Sequence, residues 1–88
     1  MMRFASHFIL HKEQLFRMHY AELSDDGSLV GIHPFTEELA HTAFFDGLIV
    51  LEASSKFSTD DSSSYRNVER FGSFSAIRII RYKEAIAD

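Results

Sequence analysis

The 88-residue chain lacks cysteine and tryptophan, and proline occurs once. The absence of cysteine excludes disulfides, thiolate zinc sites and a thiol nucleophile. Because disulfides are typical of oxidising compartments, the expected location is the cytoplasm. No apolar run approaches the roughly 20 residues that span a bilayer, and the first residues lack the apolar core of a signal peptide. We therefore expect a mature domain without a membrane segment.

Positive charge is also scarce, since the formal net charge is −4 at pH 7. Binding to a phosphate backbone needs a net basic face, so nucleic acid is not the expected partner. Four arginines nevertheless leave the C-terminal third locally positive: Arg66, Arg70, Arg78 and Arg81. These are either charges on a strand face or the site of an interaction.

A chain of this length is expected to form one domain, which spans residues 1–88, because it is too short to divide into two cores. Apolar residues make up 45% of the sequence and aromatic residues 14%, with nine Phe. That apolar content is enough to fill one small core without disulfides or metal. No internal repeat or heptad pattern is present.

Alternating apolar and polar positions predict strands in the first third of the chain. Residues 4–10 and 15–23 both alternate, and the polar residues 11–14 between them indicate a hairpin turn. Ser24-Asp25-Asp26-Gly27-Ser28 is the strongest local signal, because Asp and Gly tolerate the positive φ of a tight reversal. A second hairpin is expected there, with a return strand that stops at Pro34.

The later sequence predicts a short helix near residues 36–41, where a threonine N-cap precedes two glutamates. Residues 48–51 are fully apolar and predict a strand buried on both faces. The Ser-rich segment at about 54–70 has few large apolar side chains and predicts a mobile loop or a ragged sheet edge. Residues 75–82 predict a last strand. The expected fold is mainly β: a small β-sandwich or open barrel of antiparallel and mixed strands with one short helix.

Catalytic and metal-binding patterns are not found in the sequence. His7 and His11 would share a helix face, but the pattern around them predicts a strand and a turn. No serine lies in a G-x-S-x-G elbow, and no glycine-rich phosphate loop is present. Adjacent carboxylates such as Glu37-Glu38 point apart and cannot flank one cleft as an acid/base pair. We expect no catalytic residue, no metal and no cofactor.

One family resemblance is carried by the order of the turns and strands. The Asp-Asp-Gly turn, then Leu29-Val30-Gly31-Ile32, and later Asp46-Gly47-Leu48-Ile49 resemble the start of metal-dependent amidohydrolases. In those enzymes, an N-terminal β-segment leads through such a phrase to two metal-binding histidines at the start of a catalytic barrel. The resemblance covers about residues 4–54, and residues 75–82 would supply a late strand.

The chain departs from that family where the metal would be bound. Counted from Gly47, the aspartate position falls on Val50, and the two histidine positions fall on Glu52 and Ser54. The resemblance therefore implies the accessory β-domain of these enzymes, a composite β-sandwich, without the catalytic barrel.

The sequence supports three hypotheses about function. The first is a non-catalytic β-domain that acts by protein–protein contact or self-association, because strand edges left open are templates for pairing. The second is a small ligand-binding protein or enzyme with a pocket lined by His and Arg. The third is nucleic-acid binding through the C-terminal arginines.

Overall fold

The computed structural model describes residues 1–35, 42–61, 74 and 76–84, and every regular element among them is a strand. The mainly β fold class is therefore confirmed. The helix expected near residues 36–41 lies outside the described residues. The strands are β1 (Met2–His11), β2 (Gln14–Leu23), β3 (Leu29–Pro34), β4 (Thr42–Ser54), β5 (Ser58–Asp61) and β6 (Ile77–Lys83).

The six strands form one mixed sheet in the order β3-β2-β1-β4-β6-β5. The first three strands pair antiparallel, as two successive hairpins do. β4 then pairs parallel to β1, and β6 pairs parallel to β4. β6 lies between β4 and β5, so β5 pairs antiparallel with the last strand of the chain. The carboxyl ends of β1, β4 and β6 consequently point in the same direction.

Both predicted hairpin turns are confirmed. His11 pairs with Gln14, so the first turn contains only Lys12 and Glu13, which adopt φ of 50° and 63°. Such a two-residue turn matches the twist of the strands, although Asn-Gly is the usual pair there.

In the second turn, Gly27 has φ of 89° and donates its N–H to the Ser24 carbonyl at 2.9 Å. The Asp26 carboxylate accepts a bond from the Ser24 hydroxyl and another from the Ser28 N–H. These hydrogen bonds lower the pKa of Asp26 to about 2.

The sheet curls until distant parts of it meet, which corresponds to the open-barrel alternative. The Lys83 N–H at the end of β6 donates to the Gly27 carbonyl at 2.8 Å, and Ser28 forms a parallel bridge with Lys83. β1 and β4 lie between β2 and β6 in the sheet, so this contact requires a strong bend. Phe57 covers the enclosed face, where it contacts the ring of Phe4 at 6.5 Å between centroids.

Each face of the sheet has its own apolar cluster. The inner cluster consists of Ile9, Ala21, Leu23, Ile49, Leu51, Ile80 and Tyr82. The outer cluster consists of Leu10, Leu48, Val50, Ile77 and Ile79. β4 supplies both, and its residues 48–51 are at most 3% exposed. The prediction that this run is buried on both faces is confirmed.

β5 was not indicated by the sequence, because Ser58-Thr59-Asp60-Asp61 has no strand-like apolar pattern. Its first residues follow Phe57, which packs against the inner cluster and so fixes the chain beside β6. Asp60 then forms an ion pair with Arg81 on β6. The first part of the Ser-rich segment is therefore a paired strand, while residues 62–70 lie outside the described residues.

Candidate functional site

Only two of the four arginines of the candidate interaction site lie among the described residues, and these two do not share a surface. Arg66 and Arg70 lie outside the described residues. Arg78 and Arg81 are three positions apart on β6, so their side chains leave opposite faces of the sheet. The Arg78 guanidinium lies 4.9 Å from the ring centroid of Phe45. Arg81 contacts Asp60 and, at 3.8 Å, Glu52.

A notch of about 270 Å³ opens where β4 continues past the end of β1. The last β1 residue paired with β4 is His11, opposite Leu51, whereas β4 continues to Ser54. The notch is lined by Leu10, His11, Lys12, Glu13, Val50, Leu51, Glu52, Ala53 and Tyr82. Its position follows from the hairpin, since the tight turn at Lys12 and Glu13 ends β1 three residues before β4 ends.

Two ring side chains meet at the wall of this notch. His11 Nε2 lies 2.9 Å from the Tyr82 hydroxyl, and the two rings are in edge contact at 5.6 Å between centroids. Burial and the neighbouring Lys12 ammonium lower the pKa of His11, which favours the neutral imidazole. Burial, with Glu84 nearby, raises the pKa of Tyr82 and keeps its hydroxyl protonated. The pair therefore presents neutral hydrogen-bonding groups at pH 7.

The main chain of β4 also faces the notch. The Ser54 carbonyl accepts a hydrogen bond from Glu84 N–H at 3.0 Å, so Ser54 directs its main-chain groups toward β6. Because these groups alternate sides along a strand, Ala53 directs its N–H and C=O toward the notch. No strand among the described residues pairs with β4 on that side beyond Leu51.

The other described histidines are spread over the sheet. His7 lies 3.3 Å from the Asp46 carboxylate and in edge contact with Phe44. His19 lies beside Phe16, and His33 lies beside Tyr20. His41 lies outside the described residues. Within the described ranges, no three His, Asp or Glu side chains are arranged to hold a metal ion.

Among the described residues, the two edge strands of the sheet differ in length and charge. β5 is four residues long, carries two aspartates and is bound to Arg81. β3 is six residues long and contains no Asp, Glu, Lys or Arg. Its Val30 side chain is 53% exposed. Short, charged edges resist pairing with another strand, and bulges and prolines do so locally. β3 has a β-bulge at Val30 and ends at Pro34, but it is longer than β5 and uncharged, so it is the edge better suited to bind a strand.

Compared with known proteins, the chain matches no family model, no curated protein and no solved structure. The resemblance to the accessory domain of amidohydrolases therefore stays a prediction. At the positions that it singles out, Glu52 is half-buried beside Arg81, and Ser54 pairs with Lys83 in the sheet. The described ranges contain no helix with the length and apolar character needed to cross a bilayer.

The sequence did not indicate the notch, because no motif in it relates His11 to Tyr82. The structure separates these two histidines: His7 lies beside Phe44 and Asp46, whereas His11 lies beside Tyr82. The one available signal was the polar pair Lys12-Glu13 directly after a strand, which fixes where β1 ends. Tyr82 is 71 residues from His11 in the chain, so only the pairing of β4 with both β1 and β6 brings it there.

The His11 environment gives a prediction about pH. Because folding lowers the pKa of His11, the unfolded chain binds more protons than the native chain as pH falls through about 6.5. The contribution of neutral His11 to the stability of the native chain is fully present above that pH and is lost as the solution becomes more acidic. Replacing His11 with glutamine should therefore flatten the decline of melting temperature between about pH 7.5 and 5.5. Parallel melting curves of H11Q and the parent chain would contradict this assignment.

Proposed function

We propose that this chain is a non-catalytic binding domain that acts by association with another protein strand, and that its binding site is the free edge of β3. The observation that carries the proposal is the contrast between the two sheet edges. β3 offers an uncharged edge with exposed Val30, whereas β5 is shorter and carries Asp60, which forms an ion pair with Arg81. Strand addition to such an edge gives affinity through main-chain hydrogen bonds.

Other features of the chain agree with this proposal. Nucleic acid is not the proposed partner, because the net charge is −4 and Arg81 contacts two carboxylates. A cytoplasmic location belongs to the proposal and is supported by the absence of cysteine. The proposal does not depend on the amidohydrolase resemblance, although an accessory domain would act in the same way.

Placing a charge on the β3 edge should abolish binding. In V30K, a lysine replaces an exposed side chain and opposes the approach of a second strand without disturbing the core. T59K places the same charge on an exposed residue of β5 and serves as the matched control. Affinity capture from the cells that produce the protein should recover a partner with the parent and T59K but not with V30K.

Equal recovery by all three baits would remove the β3 edge as the binding site. If T59K alone failed to recover the partner, the binding site would be the β5 edge instead. Circular dichroism of each variant should show an unchanged strand signal, so that a loss of binding is not a loss of fold.

The notch favours a second candidate function, the binding of a small ligand. It combines an apolar floor of Leu10, Val50 and Leu51 with the neutral His11–Tyr82 pair and the main chain of Ala53. A few placed polar groups in an apolar cleft are typical of small-molecule sites. Among the described residues, His11 lines the notch and no arginine does, although Arg81 lies 3.8 Å from the lining residue Glu52.

Protein-observed amide NMR with a library of neutral aromatic fragments would test this candidate. Fragments that bind the notch should shift the amide signals of Ala53 and Glu52 and should lose affinity in Y82F, which lacks the hydroxyl. Shifts that map to other residues, or that are unchanged in Y82F, would contradict it.

A further inference from the structure

The main-chain groups of β3 that remain for another strand can be assigned individually. Phe35 donates its N–H to the Met18 carbonyl at 3.1 Å, in the same register that pairs His33 with Tyr20. Phe35 and Met18 therefore form a hydrogen-bonded pair, and such pairs alternate along an antiparallel ladder. His33 and Gly31 are directed toward β2, whereas Ile32 and Pro34 direct their main-chain groups to the free side.

We propose that the strand that binds this edge is β3 of a second copy of the chain, antiparallel, with the two-fold axis at Ile32. This inference rests on the proposed function and names its partner. In this register Ile32 exchanges both N–H···O=C bonds with Ile32 of the second copy. Gly31 then lies opposite His33 of the second copy, and the regular pairing ends at the β-bulge of Val30 and at Pro34.

Hydrogen-bond matching favours this register. Pro34 has no N–H, so the free edge loses a donor at that position. In a dimer shifted so that Pro34 lies opposite Pro34 of the second copy, the two carbonyl oxygens would face each other and neither would receive an N–H donor. Centring the pair on Ile32 uses the N–H that is present and leaves the donor-free residue at the margin.

Charge also favours a second copy. Two β3 strands bring no like charges together, because Leu29–Pro34 contains no Asp, Glu, Lys or Arg. Self-pairing of the β5 edge would set aspartates of both copies close together, which is unfavourable. An isologous interface of this kind also closes on itself and gives a dimer rather than a fibre.

Disulfide trapping can test the register. The chain has no cysteine of its own, so any disulfide must join the introduced cysteines. Gly31 and His33 of the second copy would form a non-hydrogen-bonded pair, with Cα atoms about 4.5 Å apart, which is within the range of a disulfide. A Cβ on Gly31 would lie 2.9 Å from His33 Nε2, the flexible end of a side chain that can move away. Mixing G31C with H33C under mild oxidation should therefore give mainly the mixed covalent dimer.

The controls separate this pairing from random collision. G31C mixed with T59C should remain monomeric on a non-reducing gel, since Thr59 lies on the opposite edge of the sheet. Light scattering of the purified proteins gives a second, cysteine-free readout: the parent chain and T59K should be dimers, and V30K should be a monomer.

Equal cross-linking in the two mixtures, or a parent chain that stays monomeric at its highest soluble concentration, would overturn the second copy as partner. The proposed function would fail separately, if affinity capture with the parent and with V30K gave the same proteins. Capture of a different protein by the parent but not by V30K would overturn the homodimer and leave the β3 edge as the binding site.

Discussion

Replacing Ile49 with alanine is expected to lower the free energy of unfolding by about 3–4 kcal/mol, within the range for deleting a large buried aliphatic side chain. Ile49 has no exposed surface and belongs to the inner cluster. It lies on β4, between Ile9 on β1 and Arg78 on β6. Three strands therefore contact the cavity that the substitution leaves, and the sheet cannot collapse around it. Urea unfolding followed by circular dichroism measures the loss.

V30A is the matched control for this prediction. It also removes aliphatic carbon from a strand, but from a side chain that is 53% exposed. Its cost should stay within about 0.5 kcal/mol, as for most surface substitutions. If I49A and V30A had similar costs, β4 would not be the centre of the core. The measurement should be made at low protein concentration, since V30A also alters the proposed dimer edge.

The parts of the fold that local chemistry determines could be predicted from the sequence. The two hairpins depend on residues that are adjacent in the chain, such as Asp26 and Gly27, whose hydrogen bonds and φ values close the turn. The burial of residues 48–51 follows from an unbroken apolar run. In each case the signal and the structure involve the same few residues.

β5 and the notch could not be predicted, because they depend on contacts between distant residues. Ser58–Asp61 is a strand only because β6 lies between it and β4 and supplies Arg81. The notch exists because β1 and β4 end at different levels, which is a property of the register between them. The positions of Arg78 and Arg81 likewise depend on the sheet, because strand alternation and ion pairing place them on opposite faces, and the interaction site of the four arginines stays a prediction.

The exposed edge of β3 could be predicted from the sequence only in part. The sequence predicts a strand that stops at Pro34, and it suggests that some edge is open. Only the strand order shows that β3 is at the margin of the sheet, and only the bond from Phe35 to Met18 shows which main-chain groups remain. The sequence shows that Leu29–Pro34 contains no charged residue, but this matters for binding only because β3 is an edge strand.

Gly47→Ala is expected to lower the free energy of unfolding by about 3 kcal/mol, because it combines backbone strain with a steric clash. Gly47 has φ of 156°, and a Cβ there would lie 2.5 Å from the Ala76 carbonyl oxygen. That oxygen accepts the hydrogen bond from Leu48 N–H that begins the pairing of β4 with β6. Relief of the clash would therefore separate the parallel strands β4 and β6.

Gly31→Ala is the informative comparison, because a Cβ at Gly31 would also approach a neighbour closely, at 2.9 Å from His33 Nε2. The neighbour there is the end of an exposed imidazole ring, which can rotate away, and no positive φ is involved. G31A should therefore cost less than about 1 kcal/mol, and the reduced freedom of its unfolded chain offsets part of that cost. Urea unfolding of both variants measures the difference. Equal losses would show that a Cβ at Gly47 does not clash with the Ala76 carbonyl oxygen.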